Sequence, residues 1–386
     1  MIEELYEFNL TEEQEKKAKE LHYENIVIDM LFQGPISTYS FPEGFEEETL
    51  KLAEEACPES AVERIMFTQE KINRWSLDGK LQQLYKDCWY DSGLTAGCRE
   101  ISVTDKTELY SSAINLQEEF DKKPWLMKVT HADHIKYAHE NNLKAGIVTC
   151  QETDGFGKDL NLLQQMYNFG LRVVQLTYNN HNLIGAGCME ENNAGLSSFG
   201  IKFVEKLNEL GIVVDVGHCG KQTTLDACKY STTPVIASHT AAESVYFHAR
   251  AKSDEELKAI AQTGGVIGIF AMPWFIAETP EDTTIEHFLN HIDYVVNLVG
   301  VDHVGIGTDW PMPQTKWMAL AFKDLVAPSL GFKPGDGPST EFVKGLKDYR
   351  SFINITRGLM ARGYKDEEIV KIIGGNWMRI FEQVWK

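Results

Sequence analysis

The sequence predicts an α/β fold, a (β/α)8 barrel of the TIM type, on three observations. Eight short runs rich in β-branched residues recur along the chain, and most are separated by segments with a helical spacing of apolar residues. Such alternation is typical of a parallel sheet, and eight units favour a closed barrel over an open sheet. No run is followed by the G-x-G-x-x-G or G-x-x-x-x-G-K-[ST] motif of nucleotide-binding sheets. The predicted strands cover residues 26–30, 98–103, 144–150, 171–177, 212–217, 234–238, 264–270 and 303–308.

The segments between these runs have the pattern of amphipathic helices. Residues 198–210 place Phe199, Phe203 and Leu207 on one face, and Gly211 follows as a helix stop. This spacing predicts a helix that buries one side against the sheet.

Two segments are not explained by the strand and helix repeat. Residues 34–97 form a long insertion after the first predicted strand, and long loops over a barrel mouth often act as lids. Residues 314–386 form a C-terminal extension with a Pro/Gly stretch and then two predicted helices. We expect their apolar faces to pack against the barrel or against the second subunit of a homodimer. We predict one elaborated domain over residues 1–386.

Composition and charge exclude several classes of partner. The 386-residue chain carries 57 acidic and 37 basic residues, a formal net charge of −20, whereas nucleic acid or an anionic membrane requires a positive surface. Its seven cysteines are an odd number without a C-x-x-C pair, which favours a reducing compartment over a disulfide framework. No apolar run approaches the roughly 18 residues of a membrane span, and the charged start lacks a signal-peptide pattern. We expect a cytoplasmic protein that binds neither nucleic acid nor membrane.

Three predicted strands end in residues that can do chemistry. His218, His239 and Asp309 each follow a short apolar run directly. The carboxyl ends of parallel strands meet at one mouth of a barrel, so two imidazoles and a carboxylate there predict a metal-activated water, with Asp309 as a general base. The alternatives are satisfied core histidines and, for Asp309, a helix N-cap, which Pro311 and Pro313 disfavour.

An arginine follows the second of these histidines in the chain. Arg250 lies in the predicted loop after the sixth strand, and a guanidinium at a barrel mouth can bind a substrate carboxylate with two hydrogen bonds. The alternative is a surface ion pair with Asp254 or Glu255.

Six segments of the chain form a recognisable set. Together they resemble the membrane (renal) dipeptidases, zinc hydrolases within the amidohydrolase-like barrels. The resemblance implies that His218 and His239 are zinc ligands, that Arg250 binds the substrate carboxylate and that Asp309 is the acid of the last strand. The matching segments are Gln175 to Asn179, Gly195 to Gly200, Asp215 to His218, Ser238 to Thr240, Gly305 to Asp309 and Ile373 to Arg379.

The chain departs from the family pattern at several positions. Family members carry a His-x-Asp pair at the end of the first strand, where this sequence has Leu31 and Gln33. The glutamate that bridges two zinc ions aligns with Gln151, beside Glu152, and an active-site histidine aligns with Tyr178. Leucine donates no ligand, and a neutral amide gives a divalent cation far less charge than a carboxylate does.

These departures argue against a centre with two zinc ions. We expect one divalent ion, zinc by resemblance, held by His218 and His239 and completed by Gln151 or Glu152, water and Asp309. The alternative is a site without metal.

Three functional hypotheses follow. The first is a dipeptidase-like, metal-dependent hydrolase of the C–N bond in a small carboxylate-bearing or peptide-like substrate. The second is a lyase or isomerase on the same barrel, with Tyr178, His218 and Asp309 in acid–base roles. The third is a protein that binds a small acid without turnover.

Overall fold

Parallel strands form the frame of the molecule. The computed structural model describes residues 5–32, 34, 45–57, 59–309, 342–346 and 349–386. The strands in this part of the chain are β1 (Ile28–Asp29), β2 (Ala96–Glu100), β3 (Leu126–Val129), β4 (Lys144–Cys150), β5 (Val173–Gln175), β6 (Val213–Asp215), β7 (Val235–Thr240), β8 (Ile267–Ile269) and β9 (Val304–Ile306). They pair in parallel in the order β1-β2-β4-β5-β6-β7-β8-β9, and β3 pairs with β4 beside this path.

The last strand returns to the first. The backbone N–H of Met30 donates to the carbonyl oxygen of Ile306 over 3.0 Å, and the N–H of Asp309 donates to that of Leu31 over 3.1 Å. These two bonds bring the sheet round on itself. The predicted fold class, a TIM-type α/β barrel with eight strands in the ring, is confirmed.

Helices connect the strands and cover the outside of the barrel. They are α1 (Glu12–Glu24), α2 (Glu46–Ala56), α3 (Ala61–Asp78), α4 (Gln82–Asp91), α5 (Lys106–Lys122), α6 (Ala132–Glu140), α7 (Leu160–Phe169), α8 (Ser198–Leu210), α9 (Lys221–Tyr230), α10 (Asp254–Gln262), α11 (Pro273–Ile276), α12 (Ile285–Val299), α13 (Ile353–Ala361), α14 (Asp366–Val370) and α15 (Asn376–Val384). A π-helical turn, Lys371–Gly375, joins α14 to α15.

The chain forms α8 as its sequence predicts. The Ser197 side chain accepts a hydrogen bond from the N–H of Gly200 and caps the helix start. Phe203 and Leu207 are buried, and Gly211 ends the helix with φ of +78°, a conformation that glycine adopts without steric cost.

All eight predicted strands are present, and their limits differ by a few residues. The sequence pattern did not predict β3. This strand has only four residues, of which one is β-branched, and it follows α5 after a short connection. The second predicted strand, 98–103, ends in the structure at Glu100, where its register with β4 pairs Glu100 with Thr149.

The C-terminal extension belongs to the barrel core in its described part. Helix α15 inserts Trp377, whose indole N–H donates to the carbonyl oxygen of Ile306 over 3.1 Å. A Cβ at Gly305 would lie 2.6 Å from this indole, so glycine lets the ring approach the strand. Trp377 shares an apolar cluster with Val173 and Val213, the first residues of β5 and β6. This end of the barrel is therefore filled, and the opposite end remains for chemistry. The Pro/Gly stretch, Pro328 to Pro338, lies outside the described residues.

The insertion after β1 contains α2, α3 and α4. Its aromatic residues Tyr85 and Trp89 are buried in the core. The Tyr85 hydroxyl donates to Glu119 over 3.1 Å, and Glu119 also pairs with Arg99 at 2.6 Å and with Lys123 at 2.8 Å. Burial opposes ionisation of Glu119, but the two cations outweigh it and lower its pKa to about 2. This buried network anchors α4 to α5.

Two further observations concern the predicted compartment. None of the helices in the described part of the chain combines the length and apolar character that a membrane crossing requires. All seven cysteines are free thiols.

A buried histidine should make the stability of the fold depend on pH. His22 joins α1 to Thr356 (Nδ1 to Oγ1, 2.8 Å) and to the carbonyl oxygen of Ser92 (Nε2 to O, 2.9 Å), and burial lowers its pKa to about 4. At a pH below 6.5, the ordinary pKa of histidine, His22 binds a proton in the unfolded chain but not in the folded chain. The contribution of His22 to the free energy of unfolding therefore falls by about 3 kcal/mol as the pH drops from 6.5 to 4.

Urea unfolding of the wild type and of His22→Gln checks this expectation. The stability difference between the two proteins should shrink by roughly 2 to 3 kcal/mol between pH 7.5 and pH 4.5. A difference that stays constant over that range would contradict it.

Candidate active site

Two histidines meet at the carboxyl ends of neighbouring strands. His218 follows β6, His239 lies in β7, and their side chains are almost completely buried, with residue exposures of 4% and 0%. The Nε2 atoms of the two rings are 2.8 Å apart. The structure thus brings together the two strand-end histidines that the sequence singled out.

The other nitrogen of each ring is engaged by its surroundings. Ser238 donates its hydroxyl to Asp215 over 2.5 Å, so its oxygen is left to accept from Nδ1–H of His239 at 2.8 Å. The Nδ1 atom of His218 lies 2.7 Å from Oδ1 of Asn179, which is an acceptor. The hydrogen-bond network therefore assigns both rings the tautomer protonated on Nδ1.

This assignment leaves two Nε2 lone pairs facing each other. At 2.8 Å such an arrangement is repulsive unless a cation accepts both lone pairs. A proton is disfavoured, because burial and the charge of Arg250 hold the pKa of both His218 and His239 well below the ordinary value. Neutral imidazoles with outward lone pairs and engaged Nδ1–H groups are the form that binds metal ions. The donor chemistry fits a divalent cation.

The described residues offer few protein ligands for a metal ion beyond these two histidines. In the described residues no group of three or more His, Cys, Asp or Glu side chains could hold a metal. Catalytic zinc sites commonly have three protein ligands and water, so this pair offers one fewer. Leu31 is buried in the apolar core, while Gln33 lies outside the described residues. The predicted role of His218 and His239 as metal ligands remains a prediction, and it fits this geometry.

Gln151 and Glu152 directly follow β4, and Gln151 is connected to His218 through Gln175. The side-chain amide of Gln151 donates to Glu100 over 2.7 Å. The backbone carbonyl oxygen of Gln151 accepts from Nε2 of Gln175 at 2.6 Å. Gln175 in turn accepts from the N–H of His218 at 3.3 Å and so joins β4 to the histidine. Glu152 is half-buried, and its burial together with Asp154 raises its pKa to about 7. Ligation by Gln151 or Glu152 remains a prediction.

Tyr178 lies flat against His218. The ring centroids are 4.2 Å apart and the planes differ by 19°. The tyrosine predicted to have a catalytic role is therefore at the candidate metal centre, where the family pattern has a histidine.

Arg250 is buried rather than exposed, which overturns the alternative of a surface ion pair. Its exposure is 1%, and Nη1 donates to the carbonyl oxygen of Gly217 over 2.6 Å. The Nε and Nη2 atoms have no hydrogen-bond partner among the described residues. A buried guanidinium with unused N–H groups is suited to an anionic ligand.

A second buried cation supports the same strand end. Lys252 donates to the carbonyl oxygen of Cys219 over 2.5 Å and to Thr224 over 2.9 Å, and it pairs with Glu256 at 3.2 Å. Arg250 donates to the carbonyl oxygen of Gly217, and Lys252 donates to that of Cys219. The two carbonyl groups that flank His218 are therefore both hydrogen-bonded to side chains from the loop after β7.

Asp309 lies at the end of the last strand, with φ of +48°. Its negative charge acts on Glu100, the last residue of β2, which contacts solvent at the mouth but is otherwise enclosed by protein. Burial, together with the charges of Glu152 and Asp309, raises the pKa of Glu100 to about 7. The sequence analysis missed Glu100. Its position at a strand end is the signal that could have found it.

Comparisons with known proteins identify a family model, curated relatives and solved structures that are similar to this chain. The family model of the membrane dipeptidases (peptidase family M19) matches residues 15–327 and 329–386. The dipeptidase tcpJ of Claviceps purpurea (strain 20.1) is 28% identical over 261 residues, 67% of this chain and 55% of that protein. The chain thus spans about half of that relative's length.

Two solved structures have the same fold. A Pseudomonas aeruginosa amidohydrolase superposes with a TM-score of 0.74 and 25% identity, covering 95% of this chain and 99% of the other. A Rhodobacter sphaeroides metallopeptidase, solved with a phosphinate mimic of the dipeptide L-Ala-D-Ala, gives a TM-score of 0.70 and 18% identity, covering 94% and 100%.

The ligand count predicts the metal stoichiometry. Zinc titration followed by elemental analysis should show at most one tightly bound ion per chain. His218→Ala and His239→Ala should each abolish binding while leaving the far-UV circular dichroism spectrum nearly unchanged, because residues at strand ends contribute little to the core. His303→Ala, at the other end of β9, is the matched control and should keep the ion. Two equivalents per chain would refute the single-ion centre, and loss of the fold in both variants would favour core histidines.

Proposed function

We propose, because the chain belongs to the membrane dipeptidase family (peptidase family M19), that it is a metal-dependent hydrolase of a small dipeptide-like amide. The observation that carries this proposal is the convergence of two Nε2 lone pairs in a buried pocket beside an unsatisfied guanidinium. The reaction adds water across the C–N bond. The carbonyl carbon gains the oxygen and the nitrogen gains a proton, giving a carboxylate and an amine.

We propose a single zinc ion as the cofactor, held by His218 and His239. When bound, such an ion lowers the pKa of its water and polarises a carbonyl group. The protein's part is to keep both imidazoles neutral and to orient them, through Asn179 on one side and the Ser238 and Asp215 pair on the other.

Substrate orientation is assigned to Arg250. The unused N–H groups on its Nε and Nη2 atoms suit a carboxylate, which a dipeptide carries at its C-terminus. The Rhodobacter sphaeroides relative was solved with a dipeptide mimic, and the Claviceps purpurea relative is called a dipeptidase. Both descriptions support a dipeptide-like substrate here.

Two residues are assigned to proton transfer. Asp309, at the mouth near Glu100, is the proton acceptor for the attacking water. We assign Tyr178, which stacks on His218, the role of donating a hydrogen bond from its phenol group to the substrate.

We propose that the protein is located in a reducing compartment, the cytoplasm. All seven thiols are free, and four of them are buried.

Turnover with and without metal tests the proposed function. The zinc-loaded protein should hydrolyse amides with a free C-terminal carboxylate, chelation should abolish this activity, and C-terminally amidated versions of the same compounds should be poor substrates. Ordinary dipeptides should be cleaved slowly, since the ligands for a second ion are absent at Leu31 and Gln151. Chelator-resistant turnover would favour the acid–base lyase or isomerase, and binding without turnover would favour a binding protein.

Arg250→Lys should impair substrate binding and retain the metal. A bidentate contact becomes a single one, a loss of about 1.5 to 3 kcal/mol for a charge-assisted hydrogen bond, so KM should rise about 10- to 100-fold. Steady-state kinetics with carboxylate and amidated substrates checks this, the amidated compound being the control. An unchanged KM for the carboxylate would remove Arg250 from substrate binding.

Asp309→Asn should keep the fold and most of the metal but lower kcat at least about 10²-fold, the typical effect of losing a general base. Glu152→Gln, a neighbouring carboxylate, is the control and should cost less. Undiminished kcat in Asp309→Asn would show that another group accepts the proton.

A further inference from the structure

Two carboxylates at different places in the barrel make the same set of contacts. The Oδ1 atom of Asp215 accepts from the N–H of Ser238 at 2.8 Å and from that of Gly217 at 3.0 Å. Its Oδ2 atom accepts from the Ser238 hydroxyl at 2.5 Å. We call this set the Asp215 clamp.

The same pattern recurs where the barrel closes. The Oδ1 atom of Asp29 accepts from the N–H of Thr308 at 2.8 Å and from that of Leu31 at 3.1 Å. Its Oδ2 atom accepts from the Thr308 hydroxyl at 2.5 Å. We call this set the Asp29 clamp. In both clamps the aspartate is the last residue of its strand. Its carboxylate accepts hydrogen bonds from the backbone N–H and the side-chain hydroxyl of a Ser or Thr in, or just after, the neighbouring strand. It also accepts one from the backbone N–H of the residue two positions further along its own chain segment.

Each clamp holds the residue immediately before a candidate site residue. Ser238 precedes His239, and Thr308 precedes Asp309. The Asp215 clamp acts directly on the imidazole, because the Ser238 hydroxyl also contacts Nδ1 of His239. The Asp29 clamp acts through the backbone, because Thr308 fixes the peptide that leads into Asp309.

The backbone at Asp309 needs such support. Its φ of +48° is uncommon for a residue other than glycine, and such conformations persist where the surroundings enforce them. Its N–H donates to the carbonyl oxygen of Leu31, and the carbonyl oxygen of Thr308 accepts from Ala271 at 2.7 Å. Asp29 and Thr308 are both fully buried, so the clamp is shielded from water.

We propose that Asp29 is a positioning residue that acts through Thr308 to aim the carboxylate of Asp309 at the reacting water. The proposal rests on the proposed function, in which Asp309 accepts a proton. Asp29 is the last residue of β1, two positions before Leu31, and its carboxylate contacts Thr308 just after the last strand. The Asp215 clamp, by contrast, serves the metal ligand His239.

Disrupting the Asp29 clamp should lower kcat, whereas disrupting the Asp215 clamp should lower the affinity for metal. Thr308→Val removes one hydroxyl and keeps the side-chain shape, so kcat should fall about 10- to 100-fold with KM and cobalt(II) affinity unchanged, as expected for a misplaced reacting group. Ser238→Ala, the matched variant, should instead weaken cobalt(II) binding about 10- to 100-fold, because the Ser238 hydroxyl contacts the ring of His239. Thr308→Ser keeps a hydroxyl at this position, so its kcat should be higher than that of Thr308→Val.

A readout without substrate accompanies the kinetics. Hydrogen exchange at the Asp309 amide should accelerate at least about 10-fold in Thr308→Val and not in Ser238→Ala. Wild-type kcat in Thr308→Val, or a metal affinity lowered as much as in Ser238→Ala, would overturn the proposal. If Asp309→Asn is fully active, the proton-acceptor role is wrong. If Asp309→Asn is inactive while Thr308→Val is unaffected in kcat and in exchange, only the positioning role of Asp29 fails.

Discussion

The arrangement of the candidate site depends on one electrostatic constraint. Asn179 and Ser238 engage the Nδ1 atoms of the two histidines, so both Nε2 lone pairs must point into the same 2.8 Å gap. A buried gap between two lone pairs requires a cation, and burial beside Arg250 makes a proton a poor one. These two imidazoles are therefore the donors that we propose for a metal ion among the described residues.

The surrounding barrel keeps those ligands in place through contacts that cross from strand to strand. Arg250 and Lys252, from the loop after β7, hold the carbonyl groups on either side of His218. Asp215 and Asp29 repeat one clamp at two positions. These side chains add hydrogen bonds between neighbouring strands at the last ladder pairs, close to the candidate site.

Much of this architecture could be predicted from local patterns, and the rest could not, for physical reasons. Eight apolar runs and two strand-end histidines are visible as sequence, since each depends on a few adjacent residues. Glu100 was missed because β-branched residues, Ile101 and Val103, continue the strand pattern after the pairing with β4 ends, so the sequence does not mark Glu100 as a strand end. The burial of Arg250 and the two clamps depend on partners far away in the chain, which no local pattern contains.

The most direct measurement of the central claim is an anomalous difference map from crystals of the zinc-loaded protein, recorded at the zinc absorption edge. The account predicts one peak in contact with Nε2 of both His218 and His239, with Asn179 and Ser238 still on the Nδ1 atoms. A peak away from this pair, or two peaks at the barrel mouth, would contradict it.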